Sequence, residues 1–550
     1  MTEALRVIPL GGLGDIGRNM MVYEYDGAAI AVDVGLMFPE EEMLGVDLVI
    51  PEISYLTDRP GLLQAVFLTH GHEDHIGGLP FLLKEINVPV YCTRLTRGLV
   101  EVKLKEHRLA DTVHVQTVEV GDSVEVGPFE VEFFSVSHSI PDAAGLAIHT
   151  PLGPVVHTGD FKIDHTPVMA QHTDLNRLGE LGNDGVLLLC ADSTYVEVEG
   201  YTPSEQIVAD TLDRVIGEAE GRVIVTTFAS LISRVQMVID AAVKHDRRVF
   251  VTGRSMVNNV QMAREQGYLK APSGTIMNPR EMANHPDSKT VVICTGSQGE
   301  PTSALTRMAN GSHQQIAIHE DDTVILSSSP VPGNEKLVSR NIDSLFELGA
   351  RVVYNRLADV HVRGHAAREE LKIVHRMVQP QYFVPIHGEH RHLVLHRDLA
   401  VELGMPKENV FALTDGQVLE INEDGADVVE EVPANYVFVD GLGIGDVDEY
   451  VLRDRRHLAS DGMVVVVAAV DRHSSRLARP PEVLMHGFVG VDEEPEMVEQ
   501  VVQLVTDTVG GEGQQVDWTQ IHETLKDDVA AFLHRQTHRR PLVLTVMLEV

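Results

Sequence analysis

The chain has 550 residues, 43% hydrophobic and 23% charged, a composition that fits a globular protein and excludes a disordered or fibrous one. That length is too great for one ordinary core, so about two to four domains are expected. The formal net charge of -38 argues against indiscriminate nucleic-acid binding by phosphate neutralisation, although a local cleft in an acidic body can still be positive.

Cys92, Cys190 and Cys294 lie far apart in or beside apolar runs, which fits buried thiols in a reducing compartment and no CxxC metal knot. The start, Met1 to Arg6, lacks a basic stretch leading into a long apolar run, and no apolar stretch reaches membrane-spanning length. A cytoplasmic protein with no membrane partner is expected.

Residues 5–35 read as short strands joined by turns. Gly12, Gly14 and Gly17 have GxGxxG spacing, a weak dinucleotide signal that a turn between strands explains better. The run 28–35 ends a strand at Asp33. The apolar run 65–68 reads as a buried strand and leads into Thr69-His70-Gly71-His72-Glu73-Asp74-His75. His70 and His72 alternate in an extended segment and can face one metal. Asp74 and His75 follow as the chain turns, helped by Gly77 and Gly78. Imidazole mixed with carboxylate suits zinc or manganese.

Residues 79–110 look helical around a short strand at 88–91, and strands are expected at 113–120 and 124–136, with a turn at 121–122. The second is followed by His138. A further strand, 155–158, runs through Gly159 to Asp160, whose two carboxylate oxygens can bridge two cations. The strand 185–191 delivers Asp192, for which a helix N-cap is the plain alternative.

From about residue 200 the pattern becomes repeated strand–helix units. Strands are expected at 222–227, 248–252, 290–294 and 323–328, and helices at 204–219, 231–245, 256–266 and 335–348. This describes a doubly wound α/β domain. Its strands end in polar loops bearing Ser230, Ser327 and Ser329, where small hydroxyl residues and glycines let a phosphate backbone approach main-chain amides. His361-Val362-Arg363-Gly364-His365 follows, then a helix, then a strand ending at His387. The chemistry-bearing residues are thus split around an insertion of about 150 residues, which implies a composite domain interrupted by another. His70, His72 and His138 suffice for one metal and Asp74, His75 and His387 for a second, with Asp160 between them. Residues 416–455 hold a hairpin around 423–426 and a Gly-rich connector at 437–443. The stretch 460–550 reads strand, strand, helix, helix, strand, with strands at 463–470, 481–490 and 541–548 and helices at 494–509 and 517–535. The acidic residues 491–494 read as a solvated helix start.

His70-Gly71-His72-Glu73-Asp74-His75 resembles the HxHxDH motif of the metallo-β-lactamase superfamily, and the whole set resembles its β-CASP nucleases, above all bacterial ribonuclease J. The resemblance implies an αββα metallo-β-lactamase sandwich at 1–197 and 350–415. It implies a β-CASP domain at 198–349, a linker at 416–459 and a small α+β domain at 460–550. It implies that Asp33 supports the histidine loop without binding metal and that the glycine-rich loop and Asn19 lie near the site's floor. It also implies that Asp192 orients a catalytic His365, with Asp74 counted among the catalytic groups as well as the ligands. Ser230, Ser327, Ser329 and the loop 361–365 would contact substrate phosphate. The family commonly has Ser where Arg363 stands, so the phosphate contact there differs.

The implied activity is two-metal hydrolysis of single-stranded RNA, 5′-to-3′ from 5′-monophosphate ends and also internally, with Zn2+ or Mn2+. A homodimer or homotetramer and RNA-decay partner proteins are implied as well. A DNA-directed β-CASP nuclease and a non-enzymatic RNA-processing scaffold are the alternatives.

Overall fold

The computed structural model describes residues 4–40, 42–331, 333–441, 443–471, 477–488, 490, 494–509 and 518–550. The chain divides into two compact units, Met1–Phe38 with Leu48–Val437, and Pro39–Asp47 with Phe438–Val550.

The larger unit is built on three sheets. One has eight strands in the order Gly425–Glu431, Gln417–Asn422, Leu5–Gly11, Met20–Tyr25, Ala28–Val32, Leu63–Phe67, Val90–Cys92 and Val115–Thr117. Another has six, ordered Tyr382–Ile386, Leu188–Asp192, Gly153–His157, Ala144–Thr150, Phe129–Ser135 and Ser123–Val126. Their facing sides share one core, in which Val7, Tyr23, Ile30 and Phe67 meet Phe133, Leu146, Leu188 and Val384. Period-two alternation puts the neighbours of these residues on the opposite faces. Leu188 and Cys190 join the core between the sheets, while Leu189 and Ala191 join the core that includes the helices Leu175–Asp184, Arg368–Val378 and His390–Glu402. Both faces of each central strand are therefore apolar, and the architecture is αββα.

The third sheet is wholly parallel, in the order Ile276–Met277, Arg248–Thr252, Thr290–Cys294, Val223–Thr226, Thr323–Leu326 and Arg351–Val353. Ile224, Phe250, Val292 and Leu326 pack with Leu305, Met308 and Leu345. Val225, Val249, Val251 and Ile293 pack with Leu212, Ile239 and Met256. Helices thus cover both faces, as the continuous apolar strands demand.

The strands expected in this region fall within a residue or two of those found. Elsewhere the expected strand 124–136 is two, Ser123–Val126 and Phe129–Ser135, broken where Gly127 takes φ +56° before Pro128. The hairpin around residue 424 forms and pairs with Leu5–Gly11 at the edge of the first sheet.

The smaller unit carries the three-stranded sheet Glu482–His486, Met463–Val470, Leu542–Glu549, with the helices Glu494–Val509 and Trp518–Thr537. Elements that went unseen in the sequence include the helices Leu175–Asp184 and His390–Glu402 of the larger unit and, in the smaller unit, the helix Glu449–Asp461, whose N-cap Asp448 accepts a bond from the Val451 amide. The expected helix start at 491–493 and Leu442 lie outside the described residues. Among the described residues no helix is long and apolar enough to cross a membrane.

Candidate metal centre

Gly153–His157, Leu188–Asp192 and Tyr382–Ile386 run parallel, so Asp160, Asp192 and His387 emerge at one edge of their sheet. Phe129–Ser135 runs the same way, two antiparallel steps along, and brings His138 to that edge. Leu63–Phe67 and its parallel neighbour Ala28–Val32 deliver His70 and Asp33 from the first sheet.

His70 Nε2 and His138 Nε2 lie 3.0 and 3.2 Å from His72 Nδ1. Burial drives all three imidazoles toward the neutral form, His72 down to about 4 and the other two well below the usual histidine range. In two of them the remaining ring nitrogen is aimed by a neighbour. His70 Nδ1 is 3.1 Å from Thr69 Oγ1, and His138 Nδ1 donates to the Gly364 carbonyl at 2.8 Å. Nitrogens at 2.0–2.1 Å from one tetrahedral cation stand about 3.3 Å apart, close to the spacing seen.

The second group is Asp74, His75, Asp160 and His387, with candidate ligand atoms within 4.8 Å of one another. Asp160 Oδ2 lies 3.3 Å from His75 Nε2, 3.5 Å from His387 Nε2 and 3.7 Å from both His70 Nε2 and His138 Nε2, so one carboxylate sits between the groups. Burial opposes its charge, but His387, His75 and His365 hold it well below the usual carboxylate range. Burial also opposes charge on His75, which Asp160, Asp74 and Asp33 nonetheless raise well above its usual value. Asp160 Oδ1 and His387 Nε2 are buried without a hydrogen-bond partner. Buried imidazole nitrogen and carboxylate oxygen left without partners are what a divalent cation satisfies. The residues fit the metal.

The supports are as specific as the cluster. Asp33, at φ +61°, accepts from the Thr69 amide and hydroxyl at 2.8 Å each and from His75 Nδ1 at 2.7 Å, so its carboxylate is used up behind the loop. Asn19 Oδ1 accepts from His387 Nδ1 at 2.9 Å while its amide donates to the Asp74 carbonyl at 3.1 Å. His387 itself sits at φ +54°, a conformation costly for a residue with a Cβ, and its carbonyl is held by Thr194 Oγ1.

His365 adjoins both groups. Its Nδ1 lies 2.8 Å from Asp192 Oδ2 and 3.9 Å from Asp160 Oδ2. Burial works against its charge, but Asp192 and Asp160 prevail and raise it to about 9. Thr194 N–H fixes the other Asp192 oxygen at 3.0 Å.

The expected phosphate contacts are less uniform. Val362 and Gly364 are buried, and Arg363 extends from the loop between them. His361 is driven to about 3 by burial and by Arg234 and Lys162, and its Nδ1 has no partner. Ser230 is half-buried just before the helix Ile232–Lys244. That helix reaches the site's loops through Ser233 Oγ to the Ser139 carbonyl at 2.9 Å and Arg234 to the Val360 carbonyl at 2.8 Å. Ser327 is fully buried, its hydroxyl donating to the Val360 carbonyl and accepting from Arg234, so it braces the loop from within. Ser329 Oγ accepts from Asn355 at 3.2 Å.

Thr69, Tyr195 and the Gly364 carbonyl carried no signal in the sequence beyond their nearness to a motif.

Fold and centre together define a metal-dependent hydrolase of the metallo-β-lactamase type with a doubly wound insertion. Comparison with known families agrees segment by segment. Residues 33–178 match the beta-lactamase superfamily domain, 220–345 the ribonuclease J beta-CASP domain, 349–413 the Zn-dependent metallo-hydrolase RNA specificity domain, and 450–550 the ribonuclease J C-terminal domain. The chain is 40% identical over its full length to Ribonuclease J2 of Bacillus subtilis, covering 99% of that protein. It is 43% identical to Ribonuclease J of Thermus thermophilus, across 100% of this chain and 96% of that one. The chain belongs to the ribonuclease J family and is a metal-dependent ribonuclease. A crystal structure of a protein of unknown function from Enterococcus faecalis V583 shares the fold, with a TM-score of 0.52 at 17% identity over 76% of this chain and 99% of that one.

Proposed function

We propose that the protein is a 5′-to-3′ exoribonuclease that prefers 5′-monophosphate ends, also cuts internally, and serves RNA decay and maturation in the cytoplasm. The observation that carries the reading is the placement of Asp160 Oδ2 within 3.9 Å of nitrogens from both ligand groups and from His365.

In this reading His70, His72 and His138 would hold one cation and Asp74, His75 and His387 a second, Asp160 would serve both, and the ions would be Zn2+ or Mn2+. Two such cations supply charge neutralisation at a phosphodiester and a more acidic water. His365, held charged by Asp192, donates to the scissile phosphate or its leaving oxygen. Asp74 keeps a partly exposed carboxylate at the mouth, suited to accept a proton from water. The 5′ pocket comprises Ser230 and the loop 361–365, with Ser329 further along the strand's path. Similarity to proteins named ribonuclease J supports RNA as substrate.

A homodimer or homotetramer, with RNA-decay proteins as partners, completes the reading. Within the smaller unit Leu484, Leu544, Val546 and Leu548 leave an apolar sheet face uncovered, which supports assembly.

The test compares matched RNAs bearing 5′-monophosphate and 5′-triphosphate ends, with DNA of the same sequence alongside. Faster loss of the monophosphorylated RNA is expected. Equal rates on the two RNAs count against the 5′ pocket, and preferential cutting of DNA counts against the substrate.

A further inference from the structure

Glu370 has no exposed surface and stands at the third position of the helix Arg368–Val378. The start of a helix accounts for only one of its bonds, from the Ala367 amide to Oε2 at 2.8 Å. Oε2 also accepts from the Thr202 amide at 2.7 Å, and Oε1 accepts from the Ile163 amide at 2.6 Å. These amides belong to three separate segments, each of which has just left the centre. Ile163 comes shortly after Asp160, Ala367 shortly after His365, and Thr202 closes the loop that begins at Asp192.

The same helix start holds that loop at further points. Arg368 and Glu369 donate their amides to the Val198 and Gly200 carbonyls at 2.9 and 3.1 Å, bonds open to amides of a first helical turn. Thr202 Oγ1 donates to the His365 carbonyl at 2.6 Å. The loop from Asp192 is therefore clamped to the chain around His365, and inside the clamp the imidazole lies 2.8 Å from Asp192 and 3.9 Å from Asp160. The Asp160 segment has a second hold, the bridge between Ser137 and Lys162, so the clamp bears chiefly on His365. A carboxylate turns two acceptor oxygens onto these donors, whereas the amide of glutamine would turn an NH2 group onto at least one of them.

We propose that Glu370 is a positioning residue for the cleavage step, setting His365 against Asp192 through the Thr202 and Ala367 amides. The proposal rests on the reading of His365 as the group that donates to the scissile phosphate or its leaving oxygen. Glu370 acts through His365, so its removal falls on kcat and spares both the affinity for RNA and the hold on metal.

The test is cleavage of 5′-monophosphorylated RNA by the metal-loaded full chain and its Glu370→Gln, Thr202→Val and His365→Ala variants, with each of the first two also combined with His365→Ala. Metal content, KM, kcat and the single-turnover rate with protein in excess are measured for each. Glu370→Gln is expected to lower kcat about 10–100-fold, as a misplacement of about 1 Å does, with KM and metal content unchanged. Thr202→Val, which removes only the hydroxyl bond to the His365 carbonyl, should lower kcat about 2–10-fold. In the His365→Ala background neither change should cost anything further, because the group they position is gone. Losses of the same size with and without His365 overturn the proposal, since Glu370 then supports the centre as a whole. Loss of metal, a loss carried by KM, or an unchanged kcat also overturns it. If Glu370→Gln does not fold, Thr202→Val decides by the same measurements; if His365→Ala leaves no measurable rate, the division of the losses between kcat and KM decides alone. A parent that cleaves RNA and is unaffected by His365→Ala defeats the reading of His365 and the positioning role with it. A parent that degrades no RNA defeats the reading of the whole centre.

Discussion

Replacing Gly364 with Ala perturbs the centre through a single added carbon. The new Cβ would lie 2.4 Å from Cε1 and 2.5 Å from Nδ1 of His138, about 1 Å inside ordinary contact. Gly364 does not use the left-handed region, so its backbone accepts alanine and the strain falls on the imidazole. His138 must move by a distance of that order or lose its bond to the Gly364 carbonyl, whereas ligand distances at a working metal site hold to about 0.2 Å. Metal affinity should therefore drop by at least about 10–100-fold, as when a ligand's supporting contact is removed. Global stability should fall by only about 1–3 kcal/mol, as for a local overpacking. Metal content after dialysis against a weak chelator, measured with circular dichroism and RNA cleavage at limiting metal, reads both effects. Wild-type metal content and wild-type turnover in Gly364→Ala would show that His138 is not seated against Gly364 as described.

Asp192→Ala should lower kcat by roughly 10²–10⁴-fold with metal content intact, because it removes the partner that orients and charges His365; equal kcat by single-turnover assay would refute the pairing. Stripping divalent metal should abolish cleavage and lower the thermal midpoint, since a cation would satisfy the unpartnered Asp160 Oδ1 and His387 Nε2 of the fold and would find no such set in the unfolded chain. A midpoint that does not move when metal is restored would argue against a cation at these atoms. Acid stability tests the buried histidines behind Asp192. His375, held near 4 by burial and Arg376, meets His396 at 3.1 Å, which in turn meets Ser193 at 2.9 Å. The unfolded chain takes up a proton at His375 below about pH 6.5 while the folded chain does not until about pH 4, so stability falls as pH falls through that window, by ~1.4 kcal/mol per unit for this residue. Metal-free His375→Gln should show a shallower loss of denaturant stability from pH 6.5 to 5 than the metal-free parent, and identical slopes would contradict a buried neutral His375.

Residues that announce themselves by type at the end of an apolar strand were legible in the sequence. His70, His138, Asp160 and His387 each follow such a run, and parallel strand order gathers them at the sheet edge. The doubly wound insertion was legible for the same reason, since strands buried on both faces read as uninterrupted apolar runs. What stayed hidden depends on partners distant in the chain. Asn19 was set near the site's floor by resemblance alone, while its contact with His387 spans 368 residues, and the Gly364 carbonyl that aims His138 is a backbone group that no residue type advertises. The helix Glu449–Asp461 was missed because the glycines around 441–445 drew the reading toward a connector, although Asp448 offered a cap. Ser327 shows the limit of reading loops by composition: its hydroxyl is drawn inward by Arg234 and Val360, contacts that only the packing of the third sheet creates.

The central claim is that this centre degrades RNA from its 5′ end. It is tested most directly by a time course on 5′-labelled, 5′-monophosphorylated RNA, using metal-stripped protein resupplied with Mn2+ or Zn2+ and His72→Ala in parallel. Immediate release of labelled mononucleotide by the parent, absent in His72→Ala although that variant folds normally, is the predicted result. RNA left intact under every metal, or cleavage that survives in His72→Ala with normal metal content, would contradict the account.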